Sequence, residues 1–247
     1  MIIGIPRETL LGEKRVPMFP EEIKRLASSD LCFQIETGAG FGSFISDEAY
    51  RDSGAKIVPD VYTDANLIIR INPATSIEVA KLKKNSCLIS LINPFINHDL
   101  VKNLAHQNIS TFCLELIPRS TYAQSMDVLS SQATVAGYRA VLNTASHMGK
   151  FFPMLMTPAG TIKPAKILII GAGVAGLQAI ATANRLGAKV EAFDVRPAAR
   201  EQVESLGAKF LYMDLENSAE TDSGYAIEMN EEFIRKEMEL LHDAAKR

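Results

Sequence analysis

The feature that most constrains this chain is the stretch 166–196, in which three closely spaced glycines separate two apolar runs. The first run, 167–170, has no polar alternation, as is typical of a parallel strand that is buried on both faces. The glycines that follow it are Gly171, Gly173 and Gly176. Residues 174–186 favour helix and end before Gly187, which suits a helix terminus. The stretch therefore predicts strand, glycine turn, helix and strand in that order.

This glycine spacing predicts a dinucleotide-binding turn. The first glycine permits the tight turn, the second lets the backbone approach a pyrophosphate, and the third lets the helix lie close to the sheet. The helix N-terminus offers N–H groups and a positive dipole end to the phosphates. Val174 and Ala175 in that first turn are therefore candidate cofactor-binding residues beside the three glycines. The alternative is a structural strand, turn and helix with chance glycines.

Asp194 follows the second strand, 189–193, about 20 residues past the glycine turn. A carboxylate there accepts hydrogen bonds from both hydroxyls of the adenosine ribose and repels a 2′-phosphate, which predicts NAD as the cofactor and not NADP. Val195 and Arg196 complete the candidate set. Arg196 leaves a second interpretation open, because an arginine near that acid can accept a 2′-phosphate. Its place before Pro197 favours a cap on the strand end.

Charge and hydropathy exclude several classes of function. The net charge is −3 with acids and bases interspersed, so nucleic acid is not an expected partner. The chain has no signal-peptide pattern and no run of 18 apolar residues, which predicts a cytoplasmic chain without direct membrane insertion. The cysteines stand singly without metal-ligand spacing, which predicts reduced core thiols and no metal site. They are Cys32, Cys87 and Cys113.

Residues 1 to about 118 alternate apolar runs with amphipathic stretches, which predicts a parallel α/β layer. The predicted strands are 2–5, 33–36, 57–58, 67–71, 88–92 and 111–116. The predicted helices are 20–27, 46–52, 76–83 and 97–107. The segment 38–42 carries three glycines but does not lead directly into a helix, so a turn is favoured over a second phosphate loop.

A long helix is predicted over 130–147, crossing between two domains, with an apolar stripe that includes Val135, Tyr138 and Val141. Residues 151–163 fit no periodicity, so the predicted domains are 1–150 and 151–247. The predicted elements after the second strand are a helix at 198–206, a strand at 209–213, a mobile loop at 214–228 and a helix at 231–245. No further strand follows. The second domain is therefore predicted to be an incomplete Rossmann fold, in which the strand before the glycines has an exposed outer edge.

Several stretches resemble the NAD(H)-binding domain of the proton-translocating NAD(P) transhydrogenase family, and the resemblance covers the whole chain. They are 4–8, 12–16, 119–138, 171–194, 201–207 and 223–229. The block RSTYAQSMDVLSSQ at 119–132 is far more specific than the glycine motif.

The resemblance implies roles for particular side chains. It places four of them around the dihydronicotinamide, with Gln124 and Asp127 as the catalytic residues, and it puts Tyr225 on a loop that closes over bound nucleotide. The four are Arg119, Gln124, Asp127 and Ser130. An arginine, a carboxylate and a hydroxyl can orient a carboxamide without any change of protonation, and hydride transfer asks the protein mainly for positioning. Without the resemblance, these residues favour a capped loop in which Asp127 or Ser130 caps the next helix.

The resemblance also implies a function and its partners. The chain would bind NADH and pass hydride to NADP⁺ on an NADP(H)-binding subunit, while a membrane-embedded subunit couples the transfer to proton movement. It would act as a homodimer in the cytoplasm, peripheral to the inner membrane through those subunits.

Two alternatives remain open at this point. Alanine dehydrogenase shares the architecture, but its catalytic lysine and histidine are expected where this chain has Arg70 and Asn93. An arginine stays protonated and does not serve as a general base in the way that a desolvated lysine does. The other alternative is a non-catalytic nucleotide-binding fragment, because the family's domain continues beyond this chain. A split gene, a truncated chain and a degraded gene are all compatible with that difference.

Overall fold

The computed structural model of the protein describes residues 1–28, 30–212 and 231–246. The chain divides into two compact units, Met1–Val128 and Leu129–Arg247. Each unit contains a parallel sheet with helices between its strands. The predicted α/β class, with two parallel sheets of which the second is the smaller, is confirmed.

The first unit is built on a six-stranded parallel sheet in the order β3-β2-β1-β4-β5-β6. Its strands are β1 Ile2–Ile5, β2 Cys32–Glu36, β3 Lys56–Val58, β4 Leu67–Ile69, β5 Cys87–Ser90 and β6 Ser110–Cys113. All six predicted strands are present. The last three end earlier than predicted, and after β6 the residues Leu114–Leu116 form a 3₁₀ helix. The three cysteines lie in β2, β5 and β6 as half-buried free thiols.

Four helices connect these strands: α1 Pro20–Leu26, α2 Asp47–Asp52, α3 Ser76–Lys81 and α4 His98–His106. Their starts follow local sequence. The Ser46 hydroxyl accepts a hydrogen bond from the Ala49 N–H at 3.2 Å, which caps α2. Thr75 and Glu78 form a reciprocal capping box at the start of α3. The segment 38–42 begins as the predicted turn, but its last two residues already belong to the 3₁₀ helix Phe41–Ser43, which was not predicted.

The core of the first unit lies on both faces of its sheet. Ile3 and Ile5 of β1 belong to one apolar cluster, whereas Ile2 packs against the other, because side chains alternate along a strand. Ile68 in β4 joins the second cluster while its neighbour Ile69 packs against the first. Burial on both faces explains why the strands appear as continuous apolar runs.

The second unit carries a three-stranded parallel sheet in the order β11-β10-β9 and a separate antiparallel hairpin β7-β8. Its elements are α5 Val128–His147, β7 Leu155–Thr157, β8 Gly160–Ile162, β9 Lys166–Ile170, α6 Val174–Arg185, β10 Lys189–Phe193, α7 Ala199–Ser205, β11 Lys209–Leu211 and α8 Glu231–Ala245. The predicted βαβαβ half with its strand order is thus present. The predicted loop 214–228 lies outside the described residues, as does Met213 from the predicted third strand.

The division of the chain differs from the sequence-based boundary at 150. All of α5 except Val128 falls in the second unit, because Val141 is buried there against a core that includes Phe152. Val135 and Tyr138 of the predicted stripe are exposed, so the buried face of α5 is narrower than the periodicity indicated. Residues 151–163 also contain regular structure, since β7 and β8 form a hairpin there.

Strand β9 lies at the edge of the described three-stranded sheet. Its last residue, Ile170, is 63% exposed, and Ile167 to Ile169 are only half-buried. The apolar run therefore forms an open edge, and the expectation of burial on both faces is not met in the described part of the chain.

Candidate nucleotide-binding site

The glycine turn joins β9 to α6 in the geometry that the sequence predicted. Gly171 has φ of +92°, a left-handed conformation that favours glycine, and its N–H donates to the Phe193 carbonyl at 2.7 Å. A Cβ atom on Gly176 would lie 1.8 Å from the Gly171 carbonyl oxygen. Only glycine at 176 therefore lets the first turn of α6 close onto the strand end.

The outer side of the turn is open. A Cβ atom built on Gly171 or Gly173 meets no described atom within 4 Å. The first intrahelical bond here runs from the Leu177 N–H to the Gly173 carbonyl at 2.8 Å, so the N–H groups of 174–176 precede the helical ladder. Val174 is exposed and Ala175 half-buried. This open, N–H-lined surface fits a pyrophosphate group.

Asp194 lies directly after β10 and is tied to the glycine turn. Its Oδ2 atom accepts a hydrogen bond from the Ala172 N–H at 2.6 Å, and its Oδ1 atom accepts one from the Arg196 N–H at 2.9 Å. The residue is buried. The carboxylate predicted to bind ribose is thus held beside the turn by two backbone donors, one from each side.

The Arg196 side chain pairs with the same carboxylate. Its Nε donates to Asp194 Oδ1 at 2.9 Å and its Nη2 donates to Asp194 Oδ2 at 3.0 Å. Burial opposes ionisation of Asp194, but the hydrogen bonds from Arg196 and Ala172 outweigh it and lower the pKa of the carboxyl below its ordinary value. Of the two interpretations of Arg196, the structure favours the cap on the strand end, because the guanidinium donates to Asp194. Val195 between them is half-buried.

Gly137 contributes to this site although sequence reasoning did not select it. A Cβ atom at 137 would lie 2.1 Å from the Ala175 carbonyl oxygen, so glycine lets α5 pack against the first turn of α6. A glycine in the middle of a predicted helix is unfavourable by itself. A glycine at this position was therefore the sequence signal for a close helix contact, because a glycine inside a helix is usually there to allow close packing.

The residues implied for the nicotinamide lie in a loop and the following helix. Arg119 and Gln124 are exposed, and Gln124 opens the 3₁₀ helix Gln124–Met126. Asp127 is half-buried immediately before α5, and Ser130 is half-buried in the first turn of that helix. The first three belong to the first unit and Ser130 to the second. The position of Asp127 also fits the alternative role of a helix cap.

Three further observations concern the described residues only. Tyr225 lies outside them, so its predicted place on a closing loop stays a prediction. Within 1–28, 30–212 and 231–246, no group of three or more His, Cys, Asp or Glu side chains is placed to hold a metal ion. No helix in these ranges has both the length and the apolarity needed to span a bilayer.

Arg70, which stands where a dehydrogenase lysine was expected, is enclosed in the first unit. Its side chain is 1% exposed; Nη1 lies 2.8 Å from Glu78 Oε2 and Nη2 lies 3.6 Å from Glu8 Oε2. Nη1 also donates to the Tyr62 hydroxyl oxygen at 3.1 Å. Burial raises the pKa of Tyr62, whereas Glu78 keeps a lowered pKa because Thr75 and Arg70 outweigh its burial. We name Arg70, Glu8, Glu78 and Tyr62 the Arg70 cluster.

Fold and site together define a two-unit α/β protein with a dinucleotide-binding turn in its second unit. The chain belongs to the alanine dehydrogenase/PNT family. The model of that family's N-terminal domain matches residues 4–136, and the model of its C-terminal domain matches residues 140–246.

Three similar proteins illustrate this membership. The NAD(P) transhydrogenase subunit alpha of Haemophilus influenzae is 42% identical over 100% of this chain and 48% of its own length. The first part of the NAD(P) transhydrogenase subunit alpha of Rhodospirillum rubrum is 45% identical over 97% of this chain and 65% of its own. The crystal structure of transhydrogenase from Sinorhizobium meliloti superposes with a TM-score of 0.83 at 45% identity, covering 86% of this chain and 64% of that one. The chain thus spans less than two thirds of each.

Proposed function

We propose that this protein is the NAD(H)-binding component of a proton-translocating NAD(P) transhydrogenase, and that it passes hydride from NADH to NADP⁺ held by a partner. The observation that carries the proposal is the glycine turn with Asp194 bonded to it, because this pair of features matches the adenosine and pyrophosphate of a dinucleotide. Relatives at 42% and 45% identity that bear a transhydrogenase name support the reaction.

In this proposal the side chains of the chain bind and orient, and none of them exchanges a proton. NADH supplies the hydride when it is bound. The N–H groups at the start of α6 hold the pyrophosphate and Asp194 accepts the ribose hydroxyls, which selects NAD over NADP. Four polar residues orient the carboxamide of the nicotinamide, so that catalysis by the chain is positioning. They are Arg119, Gln124, Asp127 and Ser130.

The proposal includes partners. Hydride transfer needs an NADP(H)-binding subunit that presents a second nicotinamide, and coupling to protons needs a membrane-embedded subunit. We place the chain as a homodimer in the cytoplasm, peripheral to the inner membrane through those subunits.

Alanine dehydrogenase, the other activity in the family's name, is a weaker candidate. Arg70 is buried between two carboxylates, and a guanidinium is not a general base at working pH. Asn93 carries an amide, which does not titrate where a histidine would. Steady reduction of NAD⁺ by alanine, or by any amino acid, would revive this alternative.

Nucleotide selectivity tests the proposed site. Fluorescence titration of the chain should give tighter binding for NADH than for NADPH, by at least about tenfold, because a 2′-phosphate would face a carboxylate. Asp194→Asn should reduce the ratio of the affinity for NADH to the affinity for NADPH. Glu191→Gln, which removes a carboxylate from the preceding strand β10, should leave this ratio unchanged. Equal affinities in the unaltered chain would refute the assignment of Asp194.

Hydride transfer is tested separately. The chain mixed with an NADP(H)-binding component, NADH and a thio-analogue of NADP⁺ should reduce the analogue, whereas the chain alone should not, because it has no acceptor within about 3–3.5 Å of NADH. Binding of NADH without transfer in the mixture would favour the non-catalytic alternative.

A further inference from the structure

We infer that the Arg196 guanidinium holds the two acceptor positions on Asp194 that the ribose hydroxyls need, and that it leaves them when nucleotide binds. We call this arrangement the Arg196 latch. It rests on the proposed function and adds to it a step of exchange at the ribose subsite.

The Asp194 carboxylate can accept only a limited number of hydrogen bonds. Its two oxygens offer about four lone-pair positions in total. On Asp194, Oδ2 accepts from the Ala172 N–H and from Arg196 Nη2, while Oδ1 accepts from the Arg196 N–H and from Arg196 Nε. Each oxygen thus has two donors. A ribose hydroxyl must therefore displace a donor before it can bond to this carboxylate.

Two of the four donors are fixed. The Ala172 N–H belongs to the glycine turn, and the Arg196 N–H closes a turn with the side chain two residues before it. Moving either would shift the strand end. The guanidinium is on a flexible stem, and the Arg196 side chain is 22% exposed whereas that of Asp194 is 6% exposed. The guanidinium is the group that can leave without a change in the backbone.

The ribose would supply as many hydrogen bonds to Asp194 as the guanidinium gives up. Nε and Nη2 contribute one bond to each carboxylate oxygen, and the 2′- and 3′-hydroxyls would contribute two bonds in their place. The cation also keeps Asp194 ionised before binding, since its hydrogen bonds lower the pKa of that carboxyl. After the exchange, the arginine remains as a positive group near the ribose. It would lessen the repulsion that a 2′-phosphate meets.

Paired nucleotides provide the test. Calorimetric titration of the full chain compares AMP with 2′,3′-dideoxy-AMP, which lacks both hydroxyls. In the unaltered chain the ribose hydroxyls only replace the bonds from the guanidinium. The ratio of the affinity for AMP to the affinity for 2′,3′-dideoxy-AMP should therefore be small. In Arg196→Ala they fill open acceptors, so the ratio should rise on the order of tenfold, the size of one hydrogen bond to a charged group.

Two variants serve as controls. Arg200→Ala removes an arginine of α7 that pairs with Glu204 at 2.8 Å, and it should leave the ratio unchanged. Arg196→Lys, whose single ammonium replaces only part of the fork, should raise the ratio by a smaller factor. This variant keeps the test valid if Arg196→Ala fails to fold.

An unchanged or lower ratio in both Arg196 variants would overturn the latch. A crystal structure of the AMP complex that still shows Nε and Nη2 within hydrogen-bond distance of Asp194 would do the same. If the unaltered chain binds neither AMP nor NADH, the proposed function fails as well. The two failures are therefore distinguishable.

Discussion

Both units place an arginine against carboxylates at the carboxyl end of a parallel strand, yet the surroundings differ. Arg70 follows β4, is 1% exposed and lies between Glu8 and Glu78. Arg196 is the third residue after β10, has a side chain that is 22% exposed, and pairs with Asp194 beside an open glycine turn. Both partners of the first pair are enclosed by protein, whereas in the second pair the carboxylate is buried and the arginine is partly exposed.

The comparison shows that burial gives different roles to the same chemistry. A buried charge loses its hydration and needs permanent partners, so the Arg70 cluster acts as a structural element. In the second pair the carboxylate is buried, but it keeps the backbone N–H groups of Ala172 and Arg196 as donors when the partly exposed guanidinium moves away. Of the two pairs, only the one at Asp194 is suited to exchange partners with a ligand.

The largest expected effect comes from breaking the buried pair. Arg70→Met should lower the free energy of unfolding by about 3–5 kcal/mol, because Glu8 and Glu78 would be left without their counter-ion. Urea denaturation of the unaltered chain and of Arg70→Met measures this loss of stability. Arg51→Met, which removes an exposed pair with Glu48, should cost less than about 1 kcal/mol. Equal effects of the two substitutions would show that enclosure is not what distinguishes Arg70.

Two glycines of the turn in the second unit are expected to differ in their effects on stability and on binding. Gly176→Ala should cost about 1–3 kcal/mol or more, because its Cβ would lie 1.8 Å from a carbonyl oxygen. Gly173→Ala should change stability by less than about 0.5 kcal/mol, since its φ is −75° and the space is open. It should nevertheless weaken NADH binding. Normal NADH affinity in Gly173→Ala would mean that the pyrophosphate lies elsewhere.

The pair at Asp194 should cost less to break than the pair at Arg70, because the buried carboxylate keeps two backbone donors. Arg196→Ala is expected to lower the free energy of unfolding by about 1.5–3 kcal/mol, measured in the same urea series. A loss as large as that of Arg70→Met would contradict both the comparison and the displaceable role of Arg196.

The smallest effect concerns pH. Hydrogen bonds from Arg15, with those from Asn72, outweigh burial and lower the pKa of Glu13 from 4.5 to about 2. A depressed pKa in the folded state means that its contribution to stability is complete above 4.5 and is lost as the pH falls to about 2. Glu13→Gln should therefore flatten the decline of melting temperature between those pH values. If Glu13→Gln leaves the slope of melting temperature against pH unchanged, the Glu13–Arg15 pair is not the source of the decline.

The local parts of the site could be predicted from the amino-acid sequence. Gly171 at the strand end, the helix from Val174 and the acid at 194 follow one another within one βαβ unit. Their spacing is therefore a property of neighbouring residues. The same holds for the strands of the first unit, whose apolar runs reflect burial on both faces. The block 119–132 indicated a family, but its geometry toward a nicotinamide is not local.

Which distant groups come into contact depends on tertiary packing. It brought Glu8 and Glu78 to Arg70, placed Gly137 against Ala175, and put α5 with the second unit. It also brought the Ala172 N–H to Asp194, 22 positions away along the chain. These contacts depend on how strands and helices pack across long separations, and hydrophobic periodicity shows which face of an element is buried but not which residue lies opposite it.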